Sequence, residues 1–210
     1  MIRTQVRRAG PPITAAIRPA CAADMGALSD FFAGLSPQSR YLRFFAPVTP
    51  GPELLRRMSG GDGHAGAVVA VREGVIIGHA MAADQAGPQG TRTADVGVVV
   101  ADAWQGLGVA SALMNALITG ARSRGVTSLT MDVLPGNRTM LAMIASRWPA
   151  ARIEDSADFV TFRIPLPRRR QQRPQALPAA LAPAARPARP GARLTLRAQP
   201  RPEPRAYCRR

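Results

Sequence analysis

No lysine occurs among the 210 residues; all 28 basic side chains are arginine. With abundant Ala, Gly and Pro, this bias reads most simply as the imprint of a GC-rich genome, and it leaves no lysine side chain to be modified. Cysteine is nearly absent too. Cys21 and Cys208 are too few for a disulfide framework or a thiolate metal site. Cys21 falls in an expected helix and Cys208 near the last residue, so no bridge between them is expected. Histidine is limited to His64 and His79. No Cys/His cluster exists, and no metal is expected. No apolar run approaches the roughly 18 residues of a membrane span. The basic start "MIRTQVRRAGPP" leads into no apolar stretch of signal-peptide length. A cytoplasmic location, with no membrane partner, is the default expectation.

Positive charge is what the chain has in excess, at a net +15. That value suggests a nucleic-acid binder until its position is considered. Residues 168–210 hold 12 arginines and one acidic residue, a balance of +11, and residues 1–167 carry only +4. The body is therefore an ordinary domain, and its share of the 46% hydrophobic residues suffices for a core. The tail "RRRQQRPQALPAALAPAARPARPGARLTLRAQPRPEPR" mixes Pro and Arg without periodicity and offers few large apolar side chains. Disorder is expected there. The expected organisation is a flexible N-terminus at 1–12, one domain at 13–167 and a disordered basic tail at 168–210. Such a tail would attract nucleic acid or an acidic surface in a salt-sensitive way. It has one aromatic residue, Tyr207, so base stacking is poorly served. Charge runs are usually solvated, and an unselected extension is the favoured reading of the tail.

Within the body, "ITAAIRP" (13–19) reads as a strand and "CAADMGALSDFFAGL" (21–35) as a helix. "SPQSRYLRFF" (36–45) follows, with Ser36 as N-cap and Pro37 at the first helical position. A short helix is expected at 53–58. Residues 65–83 form two β-rich runs about Glu73-Gly74, a hairpin signal. "ADVGVVV" (94–100) reads as a strand buried on both faces. Helix 108–124, strand 127–134, helix 137–148 and strand 158–166 complete the pattern.

The stretch "VVVADAWQGLGVASALM" (98–114) carries the chemistry. A tight turn would explain Gly106 and Gly108. It would not require a strand before them and an amphipathic helix directly after. A strand–loop–helix unit leaves the first helical amides without partners, and these favour an anion. Without a Cβ, the two glycines let the main chain approach a large anionic group such as a pyrophosphate. No Lys-Ser/Thr pair follows, so this is not a Walker loop. The third glycine of a dinucleotide fingerprint is missing, and Gly-x-Gly alone is weak evidence.

"ADVGVVVADAWQGLGVASALM" resembles the central motif of the GNAT superfamily of acyl-CoA-dependent N-acetyltransferases. The family pattern Gln/Arg-x-x-Gly-x-Gly/Ala is met by Gln105, Gly108 and Ala110. "MDVLPGNRTML", with Asn137, is similar to the element that follows in the family. "LSPQSRYLRFFAP" resembles the leading helices of the GNAT domain of bacterial protein lysine acetyltransferases, whose acyl-CoA synthetase-like part is absent here. The resemblance covers roughly 13–166. It implies an α/β (α+β) fold with a mixed, mostly antiparallel central sheet flanked by helices. It also implies a bacterial enzyme that moves an acetyl or related short acyl group from acyl-CoA to a primary amine, which includes a small amine or a protein lysine. In the family the backbone of Gln105, Gly106, Leu107, Gly108, Val109, Ala110 and Ser111 holds the pyrophosphate of acetyl-CoA. The pantetheine arm runs beside Val98, Val99 and Val100 as an extra strand would, and Asn137 lies near that arm. Leu107 stands where many relatives carry a basic residue.

Acyl transfer to an amine needs a group that takes its proton and donors for the developing oxyanion. The resemblance places Asp95 as the base, where relatives more often carry Glu. Asp is one methylene shorter, which favours a water relay. The bland reading of Asp95 is a solvated strand-end residue or an arginine partner. The position that often holds a Tyr general acid is Ile144, and "RWP" (147–149) replaces the usual Gly-Phe. A thiol of ordinary pKa, about 8.5, can leave with the help of water. These departures motivate a second reading: a catalytically weak acyl-CoA-binding or regulatory module whose tail meets an acidic partner. His64 and His79 read as packing residues before catalytic ones. Phe44 and Phe45 read as core and Trp104 as a packing anchor, and Arg43 is open between a surface charge and a wall of the acceptor cleft.

Overall fold

The computed structural model describes residues 2–6, 13–61, 65–87, 90–155 and 158–166. The expected boundary at 167/168, the tail, Cys208 and His64 lie outside these residues. Among them one sheet holds eight strands. β1 (Ile2–Val6), β2 (Ile13–Pro19), β3 (Ala65–Arg72), β4 (Val75–Ala86) and β5 (Arg92–Val100) lie side by side in chain order, each antiparallel to the next. β6 (Ser128–Val133) joins β5 in parallel, β8 (Val160–Pro165) pairs with β6, and β7 (Arg152–Asp155) closes the edge. The sheet is thus mixed and mostly antiparallel.

Two strands were not expected. Residues 2–6, assigned to a flexible N-terminus, form β1 against β2. The four residues of β7 are too few for an alternating pattern to stand out. The expected helix 21–35 is shorter: a 3-10 turn at Ala22–Asp24 leads into α1 (Met25–Ala33). Cys21 caps that turn rather than sitting inside a helix. The expectation that no bridge joins it to Cys208 lies outside the described residues.

Helices cover both faces. α4 (Val109–Ser123) and α5 (Arg138–Arg147) lie over one, where Val109, Leu113, Met114, Leu117 and Ile144 meet Val68, Ala80, Val96 and Phe162 in the larger core. Leu113 and Leu117 recur at helical spacing, which puts both on one stripe. Gly78 lies beneath that stripe, and a Cβ there would stand 3.0 Å from Leu113. α1, α2 (Pro37–Phe44) and α3 (Pro52–Met58) cover the other face. Leu28, Phe31, Phe32, Leu55 and Met58 pack there on Val69 and Val99. A two-pronged ion pair from Arg18 to Asp24, at 2.6 and 2.7 Å, ties β2 to the start of α1.

His79 is fully buried in this second core. Its Nε2 lies 3.0 Å from the Met58 carbonyl, and Phe32 meets its ring edge-on at 5.6 Å. Burial lowers its pKa to about 4, against the opposing Met58 hydrogen bond and with help from Arg43. It is therefore a neutral packing residue at pH 7. Because the unfolded chain takes up this proton near pH 6.5 and the folded chain only near 4, stability holds above pH 6.5 and falls as pH drops through that window. Denaturant titrations at pH 7.5 and 5 are expected to differ by about 1–2 kcal/mol from this group, and His79→Leu is expected to remove that part of the difference.

Candidate active site

The geometry of the site begins with a ladder that stops. β5 and β6 pair only at Thr93, Ala94 and Asp95 against Ser128, Leu129 and Thr130. Both strands continue, β5 to Val100 and β6 to Val133, but no pairing joins them. A cavity of about 380 Å³ occupies the opening, lined by Val96, Gly97 and Val98 on one side and Met131 to Val133 on the other. Asn137 and Met140 line it from α5, and Arg43 and Phe44 from α2.

The register decides which main-chain groups face the opening. The Ala101 amide donates to the Ile77 carbonyl, and Val99, Gly97 and Asp95 stand opposite His79, Met81 and Ala83. Alternation along an antiparallel pair then turns the N–H and C=O of Val96, Val98 and Val100 away from β4 and toward β6. The pairing of Asp95 with Thr130 uses the Val96 amide, which donates to the Thr130 carbonyl; beyond it, the Val100 carbonyl accepts from the Gln105 side-chain amide at 3.0 Å. The side chains of Asp95, Gly97 and Val99 fall together on the face that carries α1–α3.

Past Val100 the chain makes a 3-10 turn at Asp102–Trp104 and then the glycine loop. Gly106 and Gly108 have φ of 69° and 80°, left-handed values that glycine tolerates without strain. The first amide bonded back along α4 is that of Ala112, to the Gly108 carbonyl. The amides of Gly106 to Ser111 have no hydrogen-bond partner among the described residues. Gln105 differs: its amide donates to Asp102 and its side chain to Val100 and Ser39. It shapes the loop, and the open amides begin one residue later.

A network that the sequence did not reveal holds this loop. The Asp102 carboxylate accepts from the Ser36 amide at 3.0 Å and from the Ser36 and Ser39 hydroxyls at 2.7 Å each. Burial alone would raise its pKa, but these hydrogen bonds outweigh it and hold the carboxyl below its ordinary value. Ser36 also caps α2, accepting from the Ser39 amide. The loop and α2 are thereby fastened together. Trp104 packs against the larger core, with the Arg72 guanidinium 4.8 Å from its ring centroid.

Asp95 sits where the two strands part. Gln85 and Thr130 donate to its two oxygens, and it lines the cavity from an exposed position. Asn137 also lines the cavity, and its side chain caps α5 by accepting from the Met140 amide at 3.2 Å. Ile144 is fully buried in the larger core. Nothing at that position can supply a proton.

The Acetyltransferase (GNAT) family matches residues 35–146, more than half of the chain. The chain belongs to the GNAT acetyltransferase family. The GNAT domain of S. lividans PAT is 28% identical, with a TM-score of 0.69 over 79% of this chain and 96% of that one. The Salmonella typhimurium acetyltransferase yncA, solved with acetyl-CoA, is 17% identical, with a TM-score of 0.57 over 78% and 99%. A phosphinothricin acetyltransferase from Sinorhizobium meliloti, in complex with AcCoA, is 19% identical, with a TM-score of 0.60 over 73% and 89%. No curated protein matches. The GNAT assignment agrees with the strand–loop–helix unit from which the sequence resemblance was drawn. Among the described residues no helix is long and apolar enough to cross a membrane.

The Asp102 network gives this GNAT site its first test. Asp102→Ala leaves Ser36, Ser39 and the start of α2 without their shared acceptor. Urea unfolding is expected to show a loss of about 1–2 kcal/mol, and amide exchange at 36–39 and 105–108 is expected to speed up together.

Proposed function

We propose that this chain is an N-acyltransferase that moves an acetyl or related short acyl group from acyl-CoA to a primary amine. The observation that carries the reading is the open edge of β5, ending in a loop whose amides have no partner. An acyl-CoA diphosphate fits those amides, which lie at the positive end of α4. An extended pantetheine fits the Val96 carbonyl and the N–H and C=O of Val98, as an added strand fits a sheet edge. The acyl-CoA-bound relatives S. typhimurium yncA and S. meliloti phosphinothricin acetyltransferase support the same donor. The length agrees too. From Val100 back to Asp95 a strand spans about 17 Å, which carries an extended arm from the loop to the carboxylate.

The roles then follow from position. Asp95, fixed by Gln85 and Thr130, takes the amine's proton directly or through water. The main-chain N–H of Val98 is the donor that this chain offers to the thioester carbonyl oxygen as negative charge grows there. The amine nitrogen forms the new C–N bond and the C–S bond breaks. The thiolate takes a proton from water, since Ile144 has none to give. A protein lysine is among the acceptors this reading covers, on the strength of the sequence resemblance at 35–47.

Acetyl-CoA is expected to raise the melting temperature of the full chain and to shift the amide signals of residues 106–111. Asp95→Ala is expected to lower kcat about 100-fold, read as CoA thiol release over an amine panel, with acetyl-CoA affinity little changed. Tight binding without turnover in the wild-type chain would leave only the binding-module reading.

A further inference from the structure

Among the described residues Arg43 is the one cation lining the cavity, and the proposed chemistry does not use it. It lies in the last turn of α2, half-buried, with its guanidinium laid on the main chain of Gly97. A Cβ on Gly97 would stand 2.4 Å from the Arg43 Cζ, so a residue with a side chain would force the guanidinium off that seat. Its Nε is buried without a hydrogen-bond partner, and the guanidinium forms no ion pair among the described residues. Its neighbour on α2, Phe44, offers only a ring face at 5.0 Å. Two other part-buried arginines each have an acid: Arg18 holds Asp24 at 2.6 Å and Arg124 holds Asp84 at 2.8 Å. Burial with no compensating anion lowers the Arg43 pKa to about 10, so it remains cationic at neutral pH.

The placement of this charge specifies its ligand. Gly97 and Asp95 are two residues apart on β5 and face the same way, which sets a cationic and an anionic group about 7 Å apart on one wall. Asp132 is the other carboxylate lining the cavity, and its Oδ1 accepts from Thr161 at 2.6 Å. A zwitterion with adjacent amine and carboxylate matches the pair, amine toward Asp95 and carboxylate toward Arg43. The surrounding wall is hydrocarbon: Leu42, Phe44, Leu54, Met58 and Met81. The groups offered to the acyl donor point along the sheet into the gap, whereas Arg43 stands over the sheet face. This separation favours the acceptor over the acyl group as the source of the carboxylate.

We propose that the acceptor is an α-amino acid with an apolar side chain, its carboxylate gripped by Arg43 and its amine presented to Asp95. This rests on the acyltransferase reading for what happens to the amine, but the carboxylate grip is testable without turnover. A lysine side chain within a polypeptide has no carboxylate beside its amine, so the proposal narrows the acceptor class.

The full chain, loaded with CoA, is titrated calorimetrically with leucine, methionine and phenylalanine. Each is compared with the matching amine that lacks the carboxylate, for leucine 3-methylbutylamine. At least one amino acid is expected to bind about tenfold to a hundredfold tighter than its amine. Arg43→Met is expected to abolish the difference and Arg43→Lys to restore part of it, with cooperative melting verifying both folds. Gly97→Ala, which displaces the guanidinium without altering its charge, is expected to act like Arg43→Met. Equal binding of acid-bearing and acid-free amines, binding of neither, or equal losses on both in Arg43→Met would overturn the proposal. So would an Arg43-dependent preference for succinyl-CoA over acetyl-CoA, which would assign the guanidinium to the donor. Arg43-dependent binding with no turnover of any amine would instead sink the acyltransferase reading and leave the carboxylate site standing.

Discussion

The early end of the β5–β6 ladder is the constraint on which the site depends. Three residue pairs join the strands, and beyond Asp95 and Thr130 they continue apart. Had the ladder run on, the Val96 carbonyl and both main-chain groups of Val98 would have been spent on β6, and no cavity would exist. Main-chain polar groups at such an edge must find partners. In the proposed reading that partner is the extended arm of the acyl donor. β6 is not left short in consequence, because its other edge runs the whole length of β8, from Ser128 opposite Pro165 to Val133 opposite Val160. The sheet keeps its continuity through one strand and opens through the next.

The two ends of the opening are mechanically joined. At its mouth, two left-handed glycines turn the chain so that unpaired amides gather where α4 begins. At its floor, Asp95 is fixed by Gln85 and Thr130. Asp102 ties the mouth to α2 through Ser36 and Ser39, and α2 carries Arg43 over the floor. A carboxylate accepting three hydrogen bonds is a stiff joint, and charge-assisted bonds of this kind exceed neutral ones in strength. A change at the loop is therefore felt by the helix that carries Arg43. This connection is physical and short: loop, Asp102, Ser36, helix.

Much of this was legible in the sequence because it is local. The glycine spacing, the valine run before it and the amphipathic helix after it are neighbours along the chain, so pattern alone exposed the loop. The Ser36-Pro37 start of α2 was readable for the same reason. The edge strands were not. β7 is four residues long, and β1 mixes Arg and Gln among its apolar positions. The Asp102 network was also out of reach, since its partners lie 63 and 66 residues away and no local signal links an aspartate before a glycine loop to a distant helix cap. Arg43 shows the limit most clearly. "YLRFF" reads equally as core with a surface charge or as a cleft wall, and the residue that decides between them is Gly97, on another element. The exposed position of Asp95 likewise follows from where the ladder ends, which periodicity does not encode.

Arg43 also bears on why such a site persists. A guanidinium nitrogen buried without a hydrogen-bond partner, as Arg43 Nε is, costs the fold stability. The chain accepts that cost and adds a second restriction, since Gly97 must stay without a side chain for the guanidinium to lie flat. Neither feature serves the core. His79 nearby is pushed further toward neutrality by the same charge. Arg18 and Arg124, by contrast, are held by Asp24 and Asp84. Destabilisation confined to a cavity wall is what a binding site carries when the compensating charge arrives with the ligand. The unpartnered Nε of Arg43 and the open edge of β5 are thus features of one kind, which the proposed reading matches to an anion and to an extended chain.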